Sequence, residues 1–389
     1  MLNKQTVVRI IRFCLLSLSR AGVIEIIQLS EKGRLTQFVE RIEPFIRRKI
    51  IRLKWFPPIL LAVNPTESPN IAVEEHFARQ VLFVTSSSSG LLAGEMRANT
   101  QEVAGAKIGP IKCLKRPGSP WEMAPSVRRR DDWTYETNRL LERMHLAAGT
   151  PVVLLAVRDA VYYRALREKI GDSAGPETES DTYIRNPDLL TYSFAVEQLR
   201  ARGYSVVYFG FPTQPLPPSL IGKVVDYSGQ FRSPRGDLLL GRYCTMLISG
   251  CSGTWALASL FNKPVAYSNS YVPFVGGYSR RDRAIFQLIQ DTKNGRTMTF
   301  REMARTQGAY SYQSNCDRDD MKLIKNSAEE IGELALETLD RRHRQFVSCA
   351  GDDDLLRRFA KIQAELPPRQ GEASLPAVTF LRRHAHLLD

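Results

Sequence analysis

TMLISGCSGTWALASLFNKPVAYSN, residues 245–269, holds a strand, a small-residue loop, a helix and a second strand in one unbroken run. Thr245–Gly250 is apolar enough for a buried strand, TWALASLFN fits a crossover helix, and PVAYSN (Pro264–Asn269) fits the strand that follows. Strands joined in this way lie parallel only through right-handed crossovers, which gives an open α/β sheet whose ligands gather at the carboxyl ends of its strands. The loop Ser249-Gly250-Cys251-Ser252-Gly253 stands at such an end and leads into the helix at Thr254-Trp255. Small residues let the backbone approach a phosphate, and the amides and dipole of a helix start favour negative charge. The loop lacks the lysine of a P-loop and is not a GxGxxG fingerprint, and an ordinary tight turn is the competing reading. Cys251 has no histidine near it in sequence and reads as a small loop thiol.

The same alternation extends towards the N-terminus. PVVLLAV (Pro151–Val157), SVVYFG (Ser205–Gly210) and KVVDYS (Lys223–Ser228) are further strands. Between the first two, Asn186-Pro187-Asp188 supplies an N-cap in Asn186, a proline for the first turn and an early acid. Tyr192, Ala195, Val196 and Leu199 then recur at helical spacing up to Gly203. The strand 151–157 runs into Arg158-Asp159 and then Tyr162-Tyr163, at the edge where a ligand is expected. Arginine there grips phosphate bidentately, while Asp159 orients it, binds a sugar hydroxyl or acts as a base. The bland alternative is a surface pair that caps a strand. Arg185 has no local structural reason and is an anion-binding candidate beside the polar loop 171–180.

Earlier in the chain, ILLAV (Ile59–Val63) and VLFV (Val81–Val84) read as buried strands flanking the helix AVEEHFARQ. Glu74, Glu75 and His76 on that helix form its one acid/base cluster, with plain surface helix residues as the favoured competing reading. Asp131–Ala148 reads as a helix ended by Gly149 and Pro151, which places a domain boundary near 150. From Asn326 onward the chain reads as helices (IGELALETL, LLRRFAKI) packed on or bridging the sheets. Asp352–Asp354 precede a helix and read as capping acids. Neither they nor Asp317–Asp320 follow a strand, and His384 and His386 lack further ligands at metal spacing, so no metal is assigned.

The first twenty residues, MLNKQTVVRIIRFCLLSLSR, place apolar and basic residues on different helical faces. Arg9 and Arg12 interrupt the apolar run a signal peptide requires, so a cytoplasmic location is expected. A second basic stretch, Arg47–Lys54, adds a surface suited to anionic headgroups, or else a docked helix with a solvated basic face. The 389 residues suit two domains, and 43% apolar with 24% charged residues excludes a disordered chain and a multi-span membrane protein. Six scattered cysteines without CxxC pairs exclude a disulfide framework. A formal charge of +13 favours an anionic partner. Basic residues interleaved with aromatics are absent, so nucleic acid is not expected.

Over residues 150–275 the chain resembles a family of bacterial glycosyltransferases associated with surface-polysaccharide assembly. The likeness rests on VRDAVYY (157–163), IRNPDLLTY (184–192), the strand Gly203–Tyr208, VVDYS (224–228), Asp237-Leu238 and ISGCSGTWALASLFNKPVAYSN (248–269), with weaker agreement in the ending FLRRHAHLL. The resemblance implies a GT-B-like α/β fold: two Rossmann-like domains facing each other, with an N-terminal amphipathic helix (1–56), an acceptor-side domain (57–150), a donor domain (151–325) and C-terminal helices (326–389). It implies a nucleoside-diphosphate sugar held by Arg158, Tyr163, Arg185 and the loop residues Ser249, Cys251, Ser252, Gly253 and Thr254, and a glycan or lipid-linked acceptor. Asp159, Glu75 and His76 become the catalytic candidates. No cofactor and no metal are expected, since arginines and helix-start amides can stabilise a leaving diphosphate. Peripheral contact with the inner face of the membrane fits the basic N-terminus. The first domain departs from the family: NPTESPNIAVEEHF follows its strand where relatives carry a Gly-His-Leu-like start. A catalytically inactive interaction scaffold is the alternative function.

Overall fold

The structure, a computed structural model, describes residues 24–28, 39, 42–44, 46–47, 59–64, 70–77, 81–85, 121, 132–161, 164, 183–210, 214–270, 276–306, 308–365 and 375–388. The chain divides into two compact units, Met1–Arg128 and Arg129–Asp389.

In the first unit, strands β1 (Ile24–Gln28), β2 (Ile59–Asn64) and β3 (Val81–Thr85) form a parallel sheet in that order. Helix α1 (Ile71–Phe77) connects β2 to β3. Asn70 starts it, its Oδ1 accepting the amides of Ala72 at 3.0 Å and Val73 at 3.1 Å. Strands β2 and β3 fall where the apolar runs place them. β1 is a correction, because it lies inside the segment expected to be wholly helical. Three isoleucines in five residues favour extended backbone over helix, and β2 offers that backbone a partner. Arg47 is a second correction. It is no surface cation but a fully buried one, paired with Glu43 at 2.6 Å and lying 5.0 Å over the Trp121 ring. The first twenty residues and 48–54 lie outside the described residues.

The second unit is built on a six-stranded parallel sheet in the order β6-β5-β4-β7-β8-β9. Its strands are β4 (Val152–Val157), β5 (Ser205–Tyr208), β6 (Val224–Asp226), β7 (Met246–Gly250), β8 (Val265–Ser270) and β9 (Arg283–Phe286). Counted from β4 this is the 3-2-1-4-5-6 order of a doubly wound, Rossmann-like sheet, so the α/β class expected for this half is what the chain adopts. Every residue of β4 and β7 is buried, as a central strand covered on both faces requires. β6 is shorter than KVVDYS suggests. Asp226 accepts the Gly229 amide at 2.9 Å and turns the chain into a helical turn at Tyr227–Gln230. An antiparallel pair, β10 (Leu288–Asp291) and β11 (Met321–Ile324), was not legible in the sequence.

Helix α2 (Asp132–Arg143) stops short of the span 131–148 because His145 adopts a left-handed conformation (φ 58°) and closes the turn before Gly149. It packs on α4 (Pro234–Tyr243): Arg235 pairs with both Glu136 oxygens at 2.7 Å and lies 4.3 Å over the Trp133 ring. Helices α3 (Ser193–Ala201) and α5 (Trp255–Leu260) make the other crossovers. The C-terminal helices are α6 (Ala328–His343), α7 (Asp352–Ala364) and α8 (Val378–Arg383), and α6 packs on α3 and on β7, β8 and β9. Phe286 of β9 locks them together, its ring 5.2 Å from Phe380 and 5.9 Å from Phe359.

Asp352 heads α7, as its place before a helix suggests, and its carboxylate also takes Arg382 of α8 bidentately at 2.7 and 2.6 Å. The Arg382 hydrogen bonds hold its pKa below the usual carboxylate value. A depressed folded-state pKa contributes stability above the unfolded value and loses it as the pH falls through the folded one. Asp352→Asn is therefore expected to be less stable than wild type at pH 7, with the gap narrowing as the pH falls below the ordinary carboxylate range. Urea unfolding at pH 7, 5 and 3 reads this directly, and a gap independent of pH would refute it.

Candidate functional site

β4 and β7 are neighbours at the point where the strand order reverses, and the loops leaving their carboxyl ends border the crevice that such sheets use for ligands. The two loops start stapled together, the Arg158 amide donating to Gly250 O at 2.8 Å. Arg158 and Asp159 are both buried beyond the end of β4. Arg158 Nε donates to Asn186 Oδ1 at 2.8 Å, and Asp159 Oδ2 accepts the Gln214 amide, from the loop after β5, at 2.9 Å. Tyr163 and the loop 171–180 lie outside the described residues.

Asn186 is not the N-cap. The capping residue is Asp188, extended at φ −77° and ψ 126°, whose side chain accepts Leu190 N at 2.9 Å and opens the turn Leu189–Tyr192 ahead of α3. Both residues are of capping type, but Pro187 holds its predecessor away from helical geometry and moves the helical start to its far side. Asn186 is thereby released to hold Arg158. Its main-chain oxygen accepts Lys325 Nζ at 2.6 Å, so one residue links two cations. Lys325 follows β11 and was not singled out by the sequence. Its signal there is only a lysine before the capping box of Ser327 and Glu330 that starts α6. Partial burial pulls the Lys325 pKa down although the residue keeps an exposed face, while Asp188 and Cys251 nearby act to raise it.

Arg185 is buried one residue before Asn186, on the turn Tyr183–Arg185. Its Nε donates to Ser311 O at 2.6 Å and its guanidinium lies 4.3 Å over the Tyr312 ring. These contacts tie the segment that carries Asn186 to the chain around 311, giving Arg185 a structural task that local sequence could not show.

In the loop after β7, Cys251 is left-handed (φ 55°), which turns the chain sharply away from the sheet. Ser249 Oγ donates to Ser252 O at 2.9 Å, and the hydroxyls of Ser252 and Thr254 lie 2.9 Å apart. The hydroxyls thus brace the loop, with Gly253 between Ser252 and Thr254. The Cys251 thiol donates to Asn269 O. Beneath lies Tyr192, fully buried, its hydroxyl 2.9 Å from Ser268 Oγ and accepting Asn269 Nδ2 at 3.2 Å. Burial pushes its pKa well above the ordinary phenol value. Asn269 and Asn326 exchange reciprocal bonds, Asn269 N to Asn326 Oδ1 at 2.7 Å and Asn326 N to Asn269 Oδ1 at 2.9 Å. That clasp fixes the residue next to Lys325 against the carboxyl end of β8.

Other motif residues serve packing. Tyr227 Oη donates to Asp237 at 2.9 Å, and Arg232 pairs with the same carboxylate at 3.1 Å. His384 meets Glu330 at 2.5 Å. Burial alone raises the Glu330 pKa, but the bonds from His384, Ser327 N and Asn326 outweigh it and hold the carboxyl below its usual value. Among the described residues, no three histidine, cysteine, aspartate or glutamate side chains are grouped to hold a metal, and no helix is long and apolar enough to cross a membrane. Glu75 and His76 lie on α1 of the first unit, Glu75 exposed and His76 half-buried with its ring 5.3 Å from that of Phe77.

No protein-family model matches the sequence, and comparison with curated proteins finds no match. Among solved structures, the chain is similar to a glycosyl transferase family 9 protein from Veillonella parvula DSM 2008, at 14% identity over 67% of this chain and 85% of that one, with a TM-score of 0.42. It is similar to ADP-heptose lps heptosyltransferase II of E. coli at 16% identity over 82% and 100% of the chains, TM-score 0.45. A third is the iron-containing dodecameric glycosyltransferase TibC from enterotoxigenic E. coli H10407, at 13% identity over 83% and 76%, TM-score 0.43. At these scores the likenesses carry no argument about reaction or substrate.

Proposed function

We propose that the chain is a glycosyltransferase that moves a sugar from a nucleoside-diphosphate sugar to a glycan or lipid-linked acceptor in cell-surface polysaccharide assembly, without a metal. The observation that carries this reading is Arg158. It is a buried cation at the carboxyl end of β4, held by Asn186 beside the loop 249–254 where the sheet order reverses. The motif resemblance over residues 150–275 supports it independently.

The hard step in such a transfer is departure of the nucleoside diphosphate as charge builds on its oxygens, and a fixed guanidinium stabilises that charge without reorganising. In this reading Asp159, held beyond the end of β4 by the Gln214 amide, contacts sugar or acceptor. Glu75 and His76 are the acid/base candidates of this reading for the acceptor proton. The basic N-terminus holds the enzyme on the anionic inner face of the membrane, where a lipid-linked acceptor would lie.

Thermal unfolding of the purified chain with UDP, GDP, CMP, dTDP, ADP and their common sugar conjugates, with and without magnesium or manganese, tests the reading. A ligand at 100 times its Kd stabilises by about 2.7 kcal/mol. One nucleotide class is expected to raise the transition, equally with and without metal. No shift with any of them at millimolar concentration would leave an interaction scaffold as the better account.

A further inference from the structure

Lys325 differs from two of the paired lysines of the second unit. Lys223 and Lys293 meet carboxylates at 2.9 and 2.6 Å, whereas among the described residues no carboxylate lies within 4 Å of Lys325 Nζ. Its one hydrogen bond among them goes to Asn186 O, which leaves two of the three donors of an ammonium group for a ligand. The side chain is exposed, yet its base is rigid: Asn326, the next residue, is buried and clasped to Asn269. It also lies 5.7 Å over the ring of Tyr183, which keeps the stem against the segment that carries Asn186.

The two cations share one residue, Arg158 on the side-chain oxygen of Asn186 and Lys325 on its main-chain oxygen. Resting on the function proposed above, we infer that Lys325 and Arg158 clamp the donor diphosphate with one cation for each phosphate, so that Lys325 sets the preference for a diphosphate over a monophosphate. A lysine suits this place because a compact ammonium serves a single phosphate oxygen, where arginine imposes a planar fork.

The test compares the Kd of the nucleoside diphosphate preferred by the wild-type chain with that of its monophosphate, in wild type and in Lys325→Gln, by calorimetry. Glutamine keeps a donor for Asn186 O and removes only the charge. The wild type is expected to favour the diphosphate, and Lys325→Gln to lower that ratio about tenfold or more with the monophosphate affinity held within about threefold. An unchanged ratio overturns the inference, whether both affinities stay or both fall together. The second pattern would show that Lys325 acts through Asn186 on the whole site. A wild-type chain that binds none of the nucleotides overturns the proposed function itself and the inference with it, so the two failures are told apart.

Discussion

Gly250→Ala is expected to destabilise the second unit by about 3–5 kcal/mol, the largest stability effect of any single methyl group added near the site. A Cβ on residue 250 would stand 2.2 Å from Tyr192 Oη, 2.9 Å from its Cζ and 3.3 Å from Val157 Cγ1. None of these atoms has room to retreat. Tyr192 is fully buried and its hydroxyl is fixed by Ser268 and Asn269, while Val157 and Gly250 are paired in the centre of the sheet. The strand must separate from its neighbour, or Tyr192 must give up its bonds and leave a hydroxyl buried without partners, and either adds to the overpacking penalty. Gly295→Ala is the control. Its backbone, unlike that of Gly250, is left-handed (φ 73°), but nothing lies within 4 Å, so its cost should stay near 1 kcal/mol, roughly that of the left-handed backbone alone. Urea unfolding measures both. Adding Tyr192→Phe to Gly250→Ala should recover part of the loss, because it removes the atom in collision. A cost below about 1 kcal/mol for Gly250→Ala would refute this account of the strand junction.

The clash also explains why the loop after β7 could be found from sequence while its chemistry could not. Glycine at 250 and small residues at 251–253 are compatible with phosphate approach, but Gly250 is required by Tyr192, and the serine hydroxyls turn inward to brace the loop. A small residue records that something comes close and not what it is. The strands were legible where apolar residues run unbroken, as in Val152–Val157 of β4 and Met246–Ile248 of β7, because a strand covered on both faces has no other pattern. β10 and β11 escaped because LIQD and MKLI are short and partly exposed, and their identity depends on a partner 30 or more residues away. The site followed the same division. Arg158 and Asp159 are positioned by the strand they leave, which is local information. Asn186 and Lys325 acquire their places only when 158, 186 and 325 converge, and no window of sequence contains that convergence.

Arg158→Ala is expected to weaken binding of the nucleoside diphosphate about 100-fold, or about 2.7 kcal/mol, and to cut turnover at least as much. The side chain is 6% exposed and leaves a central strand at the edge that admits ligand, so its guanidinium has already been partly desolvated and oriented before any phosphate arrives. Charge-assisted bonds formed by such a group are stronger than those of a solvated surface arginine. Arg158→Lys separates charge from geometry. It keeps the cation but loses the planar fork and the bond from Nε to Asn186, so an intermediate loss of about tenfold is expected. Asn186→Ala leaves Arg158 intact and removes only its orienting acceptor. If orientation matters, the loss falls in kcat more than in KM, since a displaced cation still attracts the donor but no longer meets the charge that develops as the diphosphate leaves. Calorimetry gives the affinities, steady-state rates give the division, and thermal unfolding of each variant shows that the fold survives removal of a buried cation. Retention of wild-type affinity by a folded Arg158→Ala chain would remove the carboxyl edge of β4 from the donor site and, with it, the main physical reason for calling this chain a transferase.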